Sequence, residues 1–208
     1  LFLKKNSSFF KLRNFMNNYF KVLRAGTHST FQDKGFMNVQ HMGITSSGVM
    51  DPFLYKLSNS LLKNSLNTPV IEFSNQGPLL KLVKGNCRFV VTGNVAFNII
   101  SKDKITKGIC NRTFCIKENE IIDILSTIRS NYGYLSIEGG FKLKSQFGSF
   151  STLTQSNIGS NNGKTLQKNQ KINFNRNGSK KISYIKIKEK KLDKYIRVIK
   201  GPQMNYFM

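Results

Sequence analysis

Tryptophan is absent from this chain, and acidic residues are scarce: 10 of them face 33 lysines and arginines, beside 4 prolines, 3 cysteines and 2 histidines in 208 residues. Each shortage closes off a class of chemistry. Zinc wants four placed ligands, or three and a water. With His28 and His41 as the only imidazoles and no second pair to join Cys110 and Cys115, no metal site is expected. Cys87, Cys110 and Cys115 are odd in number and do not make the disulfide framework of a small secreted domain. They read as small buried apolar residues in a reducing, cytoplasmic setting. No apolar run approaches the roughly 20 residues of a membrane-spanning helix, so no membrane partner is expected.

The lack of acid leaves a formal charge of +23. Clustered cations recruit phosphates by releasing counterions, so nucleic acid is the first partner to consider. The lysines, however, are spread along the chain among many Asn and Ile, and no nucleic-acid-binding motif accompanies them. A codon supply biased toward Lys, Asn and Ile at tolerant surface positions accounts for the charge, and nucleic acid stays a distant alternative. The most basic stretch, Ser179 to Lys191, alternates Ile185 and Ile187 with Lys186 and Lys188, as an exposed edge strand fringed with lysine does.

Short β-branched or aromatic segments recur at Tyr19–Leu23, Val70–Phe73, Leu79–Val83, Arg88–Thr92, Ala96–Ile100, Glu120–Ile124, Gly133–Ile137 and Ile182–Ile187. Turn dipeptides such as Gly77-Pro78 and Gly93-Asn94 separate them. One long helix is predicted, Pro52 to Leu62: Asp51 is a good N-cap, and Pro52 suits the first helical position, where a missing N–H costs nothing. Phe53, Leu54, Leu57 and Leu61 then recur at helical spacing and should face a core. The prediction is therefore a mainly β (α+β) domain. The N/G/S-rich stretch Ser156 to Gly163 reads as a loop. Within it, Gly159 to Thr165 imitates a phosphate-binding P-loop, but the spacing is one residue short and no helix pattern follows.

The densest collection of polar groups runs from Thr30 to Asn59, where Gly35, Gly43 and Gly48 punctuate Gln32, Asp33, Gln40, His41, Ser46, Ser47 and Asp51. Loops of this kind carry function when a rigid scaffold holds them. The plainer reading is a loop whose side chains satisfy their own backbone.

Q-D-x-G at Gln32–Gly35, Q-H-x-G-I at Gln40–Ile44 and S-G-x-M-D-P-F at Ser47–Phe53, followed by Ser58-Asn59, resemble allophanate hydrolase subunit 2. That family is also labelled biotin-dependent carboxyltransferase and includes the C component of bacterial 5-oxoprolinase. The likeness continues in order through Val70–Pro78, Val90–Asn94, Tyr134–Phe141, Gly148–Thr152 and Val198–Gln203. The resemblance implies a cyclophilin-like β-barrel, a subunit 1-like partner and a small amide, lactam or urea-type substrate. In the 5-oxoprolinase form, the B and C components work with a separate A component to open 5-oxoproline to glutamate at the expense of ATP. In the urea carboxylase form, the related domain moves a carboxyl group from carboxybiotin to urea, so biotin enters only under that alternative. No biotin-carrier or biotin-carboxylase pattern is read in these residues, and the hydrolase reading is preferred.

The family usually has Arg after Q-D-x-G and inside G-S-x-S-T, whereas this chain has Phe36 and Phe150. Arg pairs two-point with a carboxylate or phosphate and Phe cannot, so a non-catalytic regulatory member of the family is a third reading. Residues 1–17 match nothing in the family and are expected to be a basic extension without fixed structure. Residues 18–208 are expected to form the carboxyltransferase-like region, incomplete at its C-terminal end.

The expected catalytic residues are Asp33, His41, Asp51, Glu72 and Glu138. His41 titrates near neutrality by type, and Glu72 sits in the apolar run V-I-E-F, where a carboxylate must find a partner or take up a proton. The N-cap duty of Asp51 already accounts for it. Expected substrate-binding residues are Gln32, Gln40, Ser47, Gly48, Met50, Asn59, Gly139, Gly140, Ser149, Ser151 and Thr152, as sources of hydrogen bonds to a substrate carbonyl.

Overall fold

Every strand pairing among the described residues is antiparallel, and two large sheets result. The structure is a computed structural model that describes residues 18–175, 184–185 and 199–206. The strands are β1 (Asn18–Arg24), β2 (His28–Gln32), β3 (Val70–Ser74), β4 (Leu79–Lys84), β5 (Cys87–Thr92), β6 (Val95–Ile100), β7 (Ile105–Lys107), β8 (Thr113–Ile116), β9 (Ile121–Thr127), β10 (Tyr132–Ile137), β11 (Thr152–Leu153), β12 (Ile158–Gly159) and β13 (Lys171–Phe174). One sheet runs β13-β1-β4-β9-β6-β7 and the other β2-β3-β10-β5-β8, with β11-β12 as a small hairpin. Among the described residues the fold is mainly β with one long helix, as predicted. The two sheets that these residues form stay open at their edges and do not close into a barrel ring.

Period-two alternation decides what the sheets bury. Phe20, Val22, Leu80, Leu82, Ile122 and Ile124 from one sheet and Phe31, Ile71, Phe73, Phe89, Leu135 and Ile137 from the other share a single apolar cluster. The sheets therefore pack face to face. Each such buried side chain stabilises the fold by about 1.5–3 kcal/mol relative to exposure.

The helix α1 (Pro52–Leu62) covers the outer face of the five-stranded sheet. Asp51 caps it, its carboxylate accepting from the Phe53 and Leu54 amides, both at 3.0 Å. At the other end Lys63 takes a left-handed conformation and donates its N–H to Asn59 and Ser60. Leu57, Leu61 and Leu62 pack on Val90, and Tyr55 packs with Val70 and Tyr134. Because α1 lies over β5, all six residues of that strand are buried. Phe53 corrects the sequence reading: it is 63% exposed, on the flank of a buried stripe made of Tyr55, Ser58, Leu61 and Leu62.

Other expectations need similar adjustment. Cys87 is buried, but Cys110 is half-buried and Cys115 exposed, because the short β8 turns Cys115 outward. The expected loop Ser156–Gly163 contains β12 and a tight turn. β2, β7 and β8 fall outside the predicted strands. The extension 1–17 and most of the predicted strand Ile182–Ile187 lie outside the described residues. Within the latter, Tyr184 bridges Arg112 and the Ile185 amide donates to the Asn111 carbonyl at 3.0 Å.

Candidate functional site

Strand register assembles a polar row beneath α1. Thr30 pairs with Glu72, Glu72 with Tyr134, and Tyr134 with Thr92, so one residue from each of β2, β3, β10 and β5 lines up on the outer face. All four are buried. An apolar reading of V-I-E-F hides this placement, since Ile71 and Phe73 face the core while Val70 and Glu72 face the helix side.

The Glu72 carboxyl accepts from the Met50 amide at 2.8 Å and from the Tyr134 hydroxyl. That hydroxyl in turn accepts from the Asp51 amide at 2.7 Å. Burial pushes the Glu72 carboxyl above its ordinary range, partly opposed by its bonds from Met50 and Tyr134, with the Asp51 charge adding to the rise. The Tyr134 phenol is pushed up by burial and then by the Glu72 charge. The result is a sequestered carboxyl, bound to a phenol, at the start of a helix. Met50 contributes through its backbone, and its side chain is 62% exposed.

A second group gathers around Asp33. Its Oδ1 accepts from the Gly35 amide at 3.0 Å, the Ser151 hydroxyl at 2.7 Å and the Ser149 hydroxyl, while Oδ2 accepts from the Phe150 amide at 2.8 Å. Four donors leave the carboxylate little capacity for chemistry. It fastens the loop after β2 to the G-S-F-S-T segment. Alongside, Gln32 donates to the Thr152 carbonyl at 3.0 Å and Ser47 donates to the same oxygen at 3.3 Å. Gly35 has a φ of +87°, and a Cβ there would strike the carbonyls of Ser46 and Ser47. A Cβ on Gly48 would lie 3.0 Å from the Gly35 backbone, so the two glycines permit one close crossing of the loop. The Val49 amide donates to the Asp33 carbonyl at 3.0 Å, which joins this group to the segment carrying Met50 and Asp51.

The remaining expected residues stand apart. Asn59 and Glu138 belong to a structural knot at the C-terminal end of α1. There Asn59 bonds Thr68, Asn64 and Ser136; the Gly139 amide donates to Asn64, and the Asn175 amide donates to the Gly140 carbonyl. Glu138 pairs with Arg88 at 3.0 Å, both side chains almost fully buried. Gln40 and His41 sit on an exposed turn, and among the described residues no hydrogen bond joins their side chains to either group. No cluster of three His, Cys, Asp or Glu side chains able to hold a metal occurs among the described residues. The P-loop imitation also fails: Asn161 and Asn162 are left-handed in a tight turn, the preceding strand has two residues, and the next regular element is the strand β13 rather than a helix. Sequence reasoning overlooked Tyr134 and Tyr55. The period-two spacing of Tyr134, Ser136 and Glu138 was the signal available for the first. Tyr55 buries its hydroxyl beside the Asp33 charge, with no hydrogen-bond partner among the described residues.

Phe36 lies fully buried in a small cluster with Val39, Ile44 and Leu153, its ring meeting Phe147 edge-on at 6.3 Å. At the position where the resembling family places Arg, this chain has a core residue. Phe150 is half-buried and donates its amide to Asp33.

The model for the carboxyltransferase domain, subdomain A and B, matches residues 42–208. The chain is 30% identical to the C component of Haemophilus influenzae 5-oxoprolinase over 146 residues, covering 70% of this chain and 46% of that protein. It is 28% identical to urea amidolyase of Saccharomyces cerevisiae over 163 residues, covering 74% of this chain and 9% of that protein. The chain thus spans less than half the length of either relative. Among solved structures, Kluyveromyces lactis urea carboxylase matches with a TM-score of 0.72 and 26% identity, covering 82% of this chain and 16% of that one. TTHA0988 shares the fold at a TM-score of 0.74 and 20% identity, over 89% of this chain and 67% of that one. No helix of the described residues is long and apolar enough to cross a membrane.

Proposed function

Because this chain belongs to the family of the carboxyltransferase domain, subdomain A and B, we propose that it is one component of an ATP-dependent amidohydrolase of the 5-oxoprolinase type. In that role it works with a subunit 1-like partner and a protein like the A component of 5-oxoprolinase to open 5-oxoproline to glutamate. The observation that carries the reading is the buried Glu72 carboxyl, raised above its ordinary range and tied to Tyr134. Ring opening requires water to add to the lactam carbonyl and the departing nitrogen to gain a proton. A carboxyl whose hold on its proton is strengthened by burial is suited to supply that proton, and Tyr134 holds it in place. The Asp33 group stiffens the loop that carries Met50 and Asp51 over Glu72. ATP is spent by the assembled complex, on a surface other than the Gly159–Thr165 segment.

The urea amidolyase relative and the urea carboxylase structure favour a second reading, carboxyl transfer from carboxybiotin to urea. There the same carboxyl, ionised, takes a proton from the urea nitrogen. The two are separated by assaying the intact protein with its partner proteins, each omitted in turn. ATP-dependent glutamate release from 5-oxoproline that needs this chain and is lost in Glu72→Gln supports the hydrolase. Incorporation of labelled bicarbonate into urea without glutamate release overturns it in favour of transfer.

A further inference from the structure

A cleft of about 220 Å³ opens between β13 and the segment 142–144, with the 159–162 turn closing one end. It lies outside the Glu72 and Asp33 groups. Its base is closed by Phe31 and Ile172, almost fully buried, and half-buried Leu143 presents an apolar floor to the cleft. Its rim carries Lys142, Lys144 and Lys171, and no acidic residue is among its described lining.

The frame is built from hydrogen bonds that hold the walls in place. The Lys142 amide donates to the Asn173 carbonyl at 2.8 Å, and the Ser160 hydroxyl donates to the Lys144 carbonyl at 3.0 Å. Gln170 donates to the Asn161 side chain at 2.7 Å, and Asn161 in turn donates to the Lys164 and Thr165 carbonyls. The two left-handed residues Asn161 and Asn162 are thereby fixed. The Lys171 ammonium is held over the Tyr19 ring at 4.2 Å.

From this combination we infer a binding site for a small organic oxyanion, a carboxylate or phosphate ester whose apolar body rests on Leu143, above the buried Phe31 and Ile172. Lys144 and Lys171 attract the charge, and no carboxylate is among the described lining. The volume is below the roughly 300–1,000 Å³ of ordinary ligand pockets, which restricts the guest to a compact acid and leaves no room for a dinucleotide. Since the whole chain is strongly basic, the distinguishing property is the apolar floor: a general cation cloud does not tell a phenyl ester from the bare ion.

The test titrates the intact protein with phenyl phosphate, benzoate and inorganic phosphate, following backbone amide shifts by NMR. Phenyl phosphate is expected to bind at least about tenfold more tightly than inorganic phosphate, with shifts confined to residues 142–144, 159–162 and 170–173. Benzoate matching phenyl phosphate identifies the guest as a general organic acid, and weaker benzoate binding identifies a phosphate ester; both support the site. The double variant Lys144→Glu/Lys171→Glu should lose at least about tenfold in affinity, while Lys102→Glu/Lys104→Glu, equal in charge change on an exposed loop, should lose little. Shifts spread over the surface, equal binding of phenyl phosphate and phosphate, or equal loss in both double variants would overturn the site.

Discussion

Tyr134 stands directly across the strand pair from Glu72 and donates its phenol to that carboxyl while accepting the Asp51 amide at 2.7 Å. One hydroxyl thus links the titratable group to the N-cap residue of α1. The helix start and the carboxyl are a single unit.

Removing that hydroxyl tests the unit. Tyr134→Phe leaves the Asp51 amide without its acceptor and Glu72 with the Met50 amide but no phenol donor. The expected loss is about 1–3 kcal/mol in urea unfolding, the usual cost of orphaning a buried partner. A change near zero would mean that water replaces the hydroxyl.

Glu72 makes stability depend on pH with a defined sign. Its folded value is raised above the ordinary 4.5, so the folded state binds the proton more tightly than the unfolded chain. The associated stabilisation is complete below about pH 4.5 and is lost as pH rises through the folded value. Melting temperature against pH should fall more steeply for the wild type than for Glu72→Gln across that window. Parallel profiles would exclude a raised carboxyl.

The Asp33 carboxylate receives only donors, so Asp33→Asn places an N–H₂ against at least one of them. The expected cost is about 2–4 kcal/mol, in line with charge-assisted bonds lost in a buried setting. The Phe150 amide, which donates to Asp33, should exchange with solvent much faster in the variant. Unchanged Phe150 exchange would show that the loop holds without the carboxylate.

Restoring the two arginines typical of the resembling family should have unequal results. Phe36→Arg buries a guanidinium among Val39, Ile44 and Leu153 and is expected to destabilise by about 3–5 kcal/mol. Phe150→Arg, at a half-buried position, should change stability by less than about 1 kcal/mol. Thermal unfolding of both variants decides, and a stable Phe36→Arg protein would show that the loop can open to release the charge.

Local chemistry made several elements legible in the residues alone. Asp51-Pro52 marked the start of α1 at the observed residue, because N-cap side chain and fixed proline φ act within one turn. The short β-branched or aromatic segments Leu79–Val83 and Arg88–Thr92 marked β4 and β5. β2 escaped, since H-S-T-F-Q carries polar residues on the face that meets the polar row under α1. Phe53 was misplaced because helical spacing identifies a stripe but not where the sheet beneath it ends.

The gathering of the site belongs to tertiary structure. Gln32, Asp33, Ser149, Ser151 and Thr152 were all expected to take part, yet only the crossing of two loops more than a hundred positions apart in sequence makes Asp33, expected among the catalytic residues, a clamp between them. His41 and Glu138 were expected among the catalytic residues too but lie on an exposed turn and in a buried ion pair. By itself the sequence determined the β-rich class, the capped helix and the inventory of polar groups, because each depends on interactions spanning a few residues. Which carboxyl is satisfied by donors and which is raised beside a phenol was decided by strand register and loop crossing, since pairing across a sheet sets neighbours that no local pattern encodes.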